Sequence, residues 1–379
     1  MRIDSIQLHH IGIPFKTTFK HALHQRQKTE AVIVAIRCPE RLVGFGEILP
    51  RSYLTGETIG GVLETEAPRR VRRWLGRSFS RKQEVFDFLK SELEGAGRSL
   101  ATFAGFELAL LDLAGQKFRF PAGEMVGHPP GRELEPGVVI DFNIPTEELR
   151  EYGLRLRLTG KRHVKVKVGR SDDLRRLEII SATLGSETSL RLDANGAWSA
   201  QEAIESLAEM SRFKIQSIEQ PVPASDLEGM RQVRQSVGLP VMADESLCTF
   251  EDGQRLIDSE AADIFNIRLG KCGGFSGAMR LVQLARENNL GCHLGSLVGE
   301  TGILSYAAED FGQRVEEFEC LEGKGQHKVL LEADIVEPAH RNPETNQSKS
   351  GLGIQVLEDR LKAFSVSESV IFKDEGIRA

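Results

Sequence analysis

The chain has 379 residues, 40% of them hydrophobic and 27% charged, with a formal net charge of −6. That balance excludes a disordered chain. It also argues against nucleic acid as a partner, since such binders carry a basic excess, and no apolar run approaches the ~20 residues needed to span a membrane.

The length favours two domains over a single core. Five cysteines, odd in number, widely spread and without a CxxC pair, suit reduced thiols. The opening MRIDSIQLHH lacks the apolar stretch of a secretory signal. A cytoplasmic location is therefore expected.

Residues 1–60 read as strands and loops. Ile6–Ile13 alternates loosely, and Ala31–Ile36 (AVIVAI) is a strong strand. Leu42–Ile48 carries the glycines of a bent hairpin strand. Two polar loops are expected, Lys16–Thr29 and Pro50–Thr58. From residue 62 to 118 the period turns helical, most clearly in Leu100–Gly115, where Phe103, Phe106, Leu110 and Leu111 form an apolar face. Strands first and helices after describe a small α+β domain. Pro121–Pro136 is rich in Gly and Pro and reads as a linker.

From Val138 strand and helix alternate. Strands are expected at Val138–Phe142, His163–Val168, Leu190–Asp193, Ile215–Glu219, Pro240–Ala243, Asp263–Leu269, Leu290–Leu294 and Glu317–Leu321. Helices include Glu147–Leu158, Ser171–Leu184 with Ser171 as N-cap, and Ser199–Met210, where Ser199 and Glu202 make a capping-box pattern. The polar tail from 330, with GLGIQVLEDRL at Gly351–Leu361, breaks the rhythm and is expected to return to the N-terminal domain.

Five charged residues sit at or just past the ends of these strands: Lys167, Asp193, Glu219, Asp244 and Lys271. Their spacings are 26, 26, 25 and 27 residues. A strand, a helix and two loops need roughly 25–30 residues, so each repeat delivers one charged group to the same rim. In a (β/α)₈ barrel the carboxyl rim is where catalysis occurs. Asp193, Glu219 and Asp244 are acceptor-only oxygen ligands suited to Mg²⁺, with Mn²⁺ as the alternative. The absence of His and Cys from the trio disfavours zinc. Any one of these acids alone would more often be a helix cap; caps do not need equal spacing.

Asn195, in DANGAW, either supports a metal-bound carboxylate or serves an Asn-Gly turn. Glu245, beside Asp244, takes a supporting role. Lys165 and Lys167 are two apart, about 6.6 Å along one strand, and so share a face. Outward lysines would be costly under the covering helices, so both are expected to point inward, where each depresses the other's pKa. A Lys kept partly neutral near pH 7 can act as a general base. Lys271 belongs four repeats after Lys167. That is half a turn of a barrel, which sets the two amines across the mouth from each other.

The chain resembles the enolase superfamily, in its muconate lactonizing enzyme subgroup. The resemblance rests on KVKVG (Lys165–Gly169), RLDANGAW (Arg191–Trp198), IEQPV (Ile218–Val222), ADESL (Ala243–Leu247) and LGKCGG (Leu269–Gly274). GFGEI, TGET and FELALLDLAG are similar to that family's capping domain.

The resemblance implies an α/β fold: a modified TIM (β/α) barrel, 126–329, with an N-terminal α+β capping domain, 1–125, completed by the tail, 330–379. It implies Mg²⁺ on Asp193, Glu219 and Asp244, an acid/base pair of Lys167 and Lys271, and Lys165 steadying the enolate. The substrate would be a small-molecule carboxylate. Relatives often assemble as symmetric oligomers, so a homo-oligomer is expected.

The shared step is removal of the proton α to a carboxylate, made feasible by a metal that stabilises the resulting charge. Return of a proton by the opposite lysine gives a racemase or epimerase of N-substituted amino acids or dipeptides. Loss of a β-substituent gives instead a muconate-type cycloisomerase or an o-succinylbenzoate synthase. A binding protein that merely kept the fold would be expected to have lost Lys167 or Lys271, and both are present.

Candidate substrate contacts are Phe19 in the first polar loop, Arg51 and Tyr53 in the second, and His293 at the seventh strand, which is otherwise a packed or loop histidine. Glu300 matches, with a one-residue shift, the acid of the N-acylamino acid racemase run. Glu319 and Glu322 stand where dipeptide epimerases place a DxD pair, at a different spacing.

Overall fold

The computed structural model describes residues 1–20, 25–338 and 350–374. Three antiparallel strands open the chain: β1 (Ser5–Lys20), β2 (Gln25–Arg37) and β3 (Val43–Ile48). The expected polar loop Lys16–Thr29 is for the most part ribbon. β1 and β2 keep pairing past a bulge, with Phe19 opposite Arg26, so backbone hydrogen bonds carry the hairpin beyond the end of its apolar pattern. Phe19 is placed only by its backbone, and its side chain lies outside the described residues.

Helix Leu100–Phe118 packs on β3, and nearly every residue in it is buried. It is not one-faced, because the barrel covers its other side; a helix apolar all round belongs in a core. The glycines of β3 serve this contact. A Cβ on Gly46 would stand 1.9 Å from the Gly105 carbonyl oxygen, and one on Gly44 2.2 Å from that of Ala109.

Eight parallel strands then close into a barrel. They are β4 (Glu135–Ile140), β5 (His163–Lys167), β6 (Ser189–Asp193), β7 (Ile215–Glu219), β8 (Val241–Ala243), β9 (Ile264–Ile267), β10 (Gly291–Leu294) and β11 (Cys320–Glu322). Helices alternate with them as expected, and Ser199 with Glu202 forms the full capping box on helix Ala200–Met210, a cap worth about 1 kcal/mol. The helix expected from Ser171 begins at Asp173 instead. The Asp173 carboxylate accepts from the Gly169 and Arg170 amides and shapes the turn that Ser171 was expected to cap.

After β11 the chain makes only a short helix, Gln326–Leu330, before leaving the barrel. The tail adds β12 (Val336–Pro338), β13 (Ile354–Val356) and β14 (Val370–Lys373). β14 pairs antiparallel with β1 and extends the N-terminal sheet to the order β14-β1-β2-β3.

Two carboxylates fasten the sheet and its helix to the barrel. Glu47 of β3 accepts from the Thr301 amide and hydroxyl at the start of helix Gly302–Gly312. Glu107 accepts from the Phe275 and Ser276 amides at the start of helix Gly274–Glu287. Each carboxyl group meets the positive end of a helix. Among the described residues no helix is long and apolar enough to cross a membrane.

Candidate active site at the carboxyl rim of the barrel

Strand register explains why the regular spacing converges. Lys167 pairs with Asp193, and Asp193 with Glu219, so three charged residues stand at one level on neighbouring strands. Asp244 follows β8 by one residue and is fixed by Gln220, whose Oε1 accepts from the Asp244 and Ser246 amides. Lys271 is not on a strand. It lies on the helical turn Leu269–Cys272 just beyond β9, which brings its amine back over the rim.

The amines anchor to opposite ends of the acid row. Lys167 Nζ donates to Asp193 Oδ2 at 2.7 Å and to the Asn195 side-chain oxygen. Lys271 Nζ is 2.8 Å from Asp244 Oδ1 and also donates to the Asp244 carbonyl. Lys165 points inward beside Lys167, with its Nζ 2.9 Å from Asp193, 3.1 Å from Glu219 and 2.5 Å from Glu322. Asn195 takes the turn conformation expected of an Asn-Gly pair. It sits in a left-handed turn with φ 47°, followed by Gly196, and its amide donates to Glu245 at 3.0 Å.

Arg268 was not singled out in the sequence. Its guanidinium bonds Asp244 and lies 3.3 Å from Glu219. Asn266, two residues earlier on the same face, donates to Glu219 at 2.9 Å. A polar pair two apart in the apolar run IFNIRLG was the available signal, since such residues share one face of a strand. Below this layer Arg191 links Glu322 at 2.9 Å with the His293 ring at 3.0 Å.

Burial and mutual charge set the protonation of the row. Burial raises the Asp193 pKa, but Lys165 and Lys167 overcome this and hold it well below its ordinary value. Burial likewise works against Asp244, and Arg268 and Lys271 bring it down. Glu219 is pushed up to about 8 by burial and the adjacent Asp193 charge. Glu245 rises to about 7 by burial and the Asp244 charge. For Lys165 the expected depression is reversed. Burial lowers the Lys165 pKa, but Asp193, Glu219 and Glu322 more than reverse it, and Asp244 does the same for Lys271.

These residues fit a hard divalent cation. Every donor in the trio is a carboxylate, and two cationic side chains already bridge the row, Lys165 between Asp193 and Glu219, Arg268 between Glu219 and Asp244. Glu245 Oε2 is buried there without a hydrogen-bond partner. With the bridging cations in place, no three His, Cys, Asp or Glu among the described residues stand together as a ready metal cage. A bound ion would therefore share or displace those contacts.

A cavity of about 370 Å³ opens above the row, bordered by Lys165, Lys167, Asn195, Glu245, Arg268 and Glu322. Tyr53 and Leu54 of the N-terminal domain form its roof. Lys271 is fully buried and does not reach the cavity wall. The Cys248 thiol, which feels the Lys271 charge, donates to the Leu54 carbonyl and ties that roof down.

Four of the candidate contacts lie off the wall of this cavity. Arg51 is buried outside the cavity, and its guanidinium donates to the Pro50 and Val298 carbonyls, so it joins the domains. His293 is buried beneath the row on Arg191; burial and Arg191 lower its pKa to about 4. Glu300 is buried, accepts from the Leu297 amide and does not line the cavity. Glu319 is exposed and precedes β11, near the amino end of the barrel, because that strand begins at Cys320. Glu322 does border the cavity, but both its oxygens are paired with cations.

A parallel barrel with a row of buried carboxylates and a roofed cavity at its carboxyl rim is the architecture of a barrel enzyme. The family model described as enolase C-terminal domain-like matches residues 148–360. The chain is 33% identical to the L-Ala-D/L-Glu epimerase of Clostridium acetobutylicum, over 81% of this chain and 87% of that protein. It is 26% identical to the N-succinyl-L-Arg/Lys racemase of Bacillus cereus, over 98% of this chain and all of that protein. The crystal structure of the latter superposes with a TM-score of 0.85. That of the dipeptide epimerase from Enterococcus faecalis, complexed with Mg and L-Leu-L-Tyr, gives 0.81 at 27% identity, covering 94% of this chain and all of that one. The chain belongs to the enolase superfamily and is one of its isomerases.

Proposed function

We propose that the chain is a Mg²⁺-dependent racemase or epimerase of N-substituted amino acids or dipeptides, acting by transfer of the proton α to a carboxylate. One observation carries this reading: Lys167 and Lys271 are anchored at the two ends of a single row of acids. A substrate bound over that row would present one face of its α-carbon to each amine. The named activities of the relatives support the same reaction class.

Asp193, Glu219 and Asp244 would hold the cation, with Glu245 beside them. When bound, Mg²⁺ supplies positive charge against the substrate carboxylate. Lys165, buried among three carboxylates, adds a fixed positive charge next to that group. Lys167 borders the cavity and takes or returns the proton on its side, oriented by Asp193 and Asn195. Lys271 is held behind the cavity wall by both the carboxylate and the carbonyl of Asp244, and its amine would leave that carboxylate and turn into the cavity to serve the opposite face. The charged row itself is buried, which strengthens each of these interactions.

The test is incubation with Mg²⁺ in D₂O of a set of N-acylamino acids and dipeptides, read by mass spectrometry and chiral separation. α-Deuterium with inversion is expected. Turnover of a muconate or a cyclohexadiene carboxylate without any such exchange would overturn the reading.

A further inference from the structure

Lys167 ends β5 and Lys271 lies just beyond β9, and the acids on and after β6 to β8 stand between them. An α-carbon held between those amines, with its carboxylate over the acids, must point its nitrogen and its side chain the other way. They meet the sector of the mouth formed by β10, β11 and β4.

That sector of the cavity wall is apolar over Val138, Val139, Val298 and Leu330. Lys324 follows β11, but its amine turns to Glu133 at 2.7 Å and to the Leu134 carbonyl at 3.0 Å, ahead of β4. Glu322 has one oxygen 2.5 Å from Lys165 and the other 2.9 Å from Arg191. Among the side chains that the barrel contributes here, a neutral pair is left: Ser296 beyond β10 and Gln326 beyond β11.

The pair is fixed in place. Gln326 Nε2 donates to Ser296 Oγ at 2.7 Å and to the Leu297 carbonyl at 3.0 Å. Ser296 Oγ in turn donates to the Glu322 carbonyl at 2.8 Å. A backbone carbonyl can only accept, so the nitrogen of the Gln326 amide must face Leu297. Both amide protons are thereby used, and Oε1 has no hydrogen-bond partner among the described residues. Gly323 allows the pair to close up. Its φ is 75°, and a Cβ there would stand 2.2 Å from Ser296 Oγ and 3.1 Å from Gln326 Nε2.

A single anchored acceptor in an apolar sector favours a ligand that brings a donor, because a ligand without one leaves the oxygen unpaired. N-acylated amino acids and dipeptides both carry an amide N–H on the α-carbon. Muconates and cyclohexadiene carboxylates carry none. We infer that Gln326 Oε1 accepts the N–H on the substrate's α-carbon and so selects nitrogen-substituted carboxylates over others of the same size. This rests on the racemase reading above and adds the residue that reads the nitrogen.

The experiment uses the full chain with Mg²⁺ in D₂O and two matched pairs of compounds. N-acetyl-L-methionine and L-Ala-L-Met are each set beside the ester in which oxygen replaces the N–H on the α-carbon. α-Exchange gives kcat/KM, and competition against the amide gives the affinity of each ester even where its exchange is slow. The wild type should prefer each amide by about 10-fold, the scale of one hydrogen bond lost and one acceptor left unpaired. Gln326→Met keeps the bulk and removes the oxygen. It should cost the amides about 10-fold, mainly through KM, and change the esters by less than about 2-fold, which also shows that the variant is folded. Esters handled as well as their amides by the wild type would overturn the inference without recourse to a variant. An equal loss on amide and ester in Gln326→Met would overturn it too, making Gln326 a packing residue. Either result leaves the racemase reading intact, whereas absence of α-exchange in both amides would overturn both.

Discussion

Arg268 and Asp244 are bonded guanidinium to carboxylate at the mouth of the barrel, with the carboxylate fully buried and Glu219 also within 3.3 Å of the same nitrogen. Arg268 thus neutralises two of the three acids that would hold the cation.

Replacing it by methionine removes that charge without removing the acids. Arg268→Met should destabilise the metal-free chain by about 3 kcal/mol, the cost of breaking a buried pair. Mg²⁺ should recover more of the melting temperature in the variant than in the wild type. Thermal melts with and without Mg²⁺ check this, and equal Mg²⁺ shifts in both proteins would count against it.

The docking carboxylate Glu47 yields a prediction about pH. Burial, aided by the nearby Asp334 charge, pushes its pKa from 4.5 up to about 7, although Thr301 and Leu304 donate to it. An acid raised on folding adds stability that is complete below its unfolded pKa and disappears as pH climbs through the folded value. The wild type should therefore lose about 3 kcal/mol relative to Glu47→Gln between about pH 4.5 and pH 7. Denaturant unfolding of both proteins at several pH values measures that difference. A constant difference would mean that Glu47 is ionised throughout.

Gly46 marks the closest approach of β3 to helix Leu100–Phe118. Gly46→Ala drives a methyl group into the Gly105 carbonyl, and backbone cannot yield as a flexible side chain does. A loss of about 3 kcal/mol is expected, read as a drop in melting temperature. The exposed turn glycine Gly97, with φ 57° and open space around it, serves as the comparison and should cost less.

The acid row could be read from the sequence because each member occupies the same place in successive strand–helix units, so chain spacing maps directly onto position around the rim. Residues that reach across the barrel leave no such trace. Arg191 meets His293 and Glu322 across more than 100 positions, and Glu47 caps a helix 254 residues away. Arg51 was a candidate substrate contact because nothing in the sequence shows that its donors are used by backbone carbonyls. Glu319 and Glu322 are three apart and cannot share one face of a strand, so the true start of β11 at Cys320 selects Glu322 for the interior. The glycines of β3 were visible, but their reason, a helix laid against them, was not.

The central claim is that Lys167 and Lys271 serve opposite faces of one α-carbon. It is tested most directly by following solvent deuterium into each enantiomer of an N-acylamino acid that the wild type racemises, with Lys167→Ala and Lys271→Ala, Mg²⁺ present, by NMR. The account predicts that neither variant racemises, and that each still exchanges the α-proton of one enantiomer only, a different one in the two variants. Racemisation surviving in either variant, or both variants exchanging the same enantiomer, would contradict it.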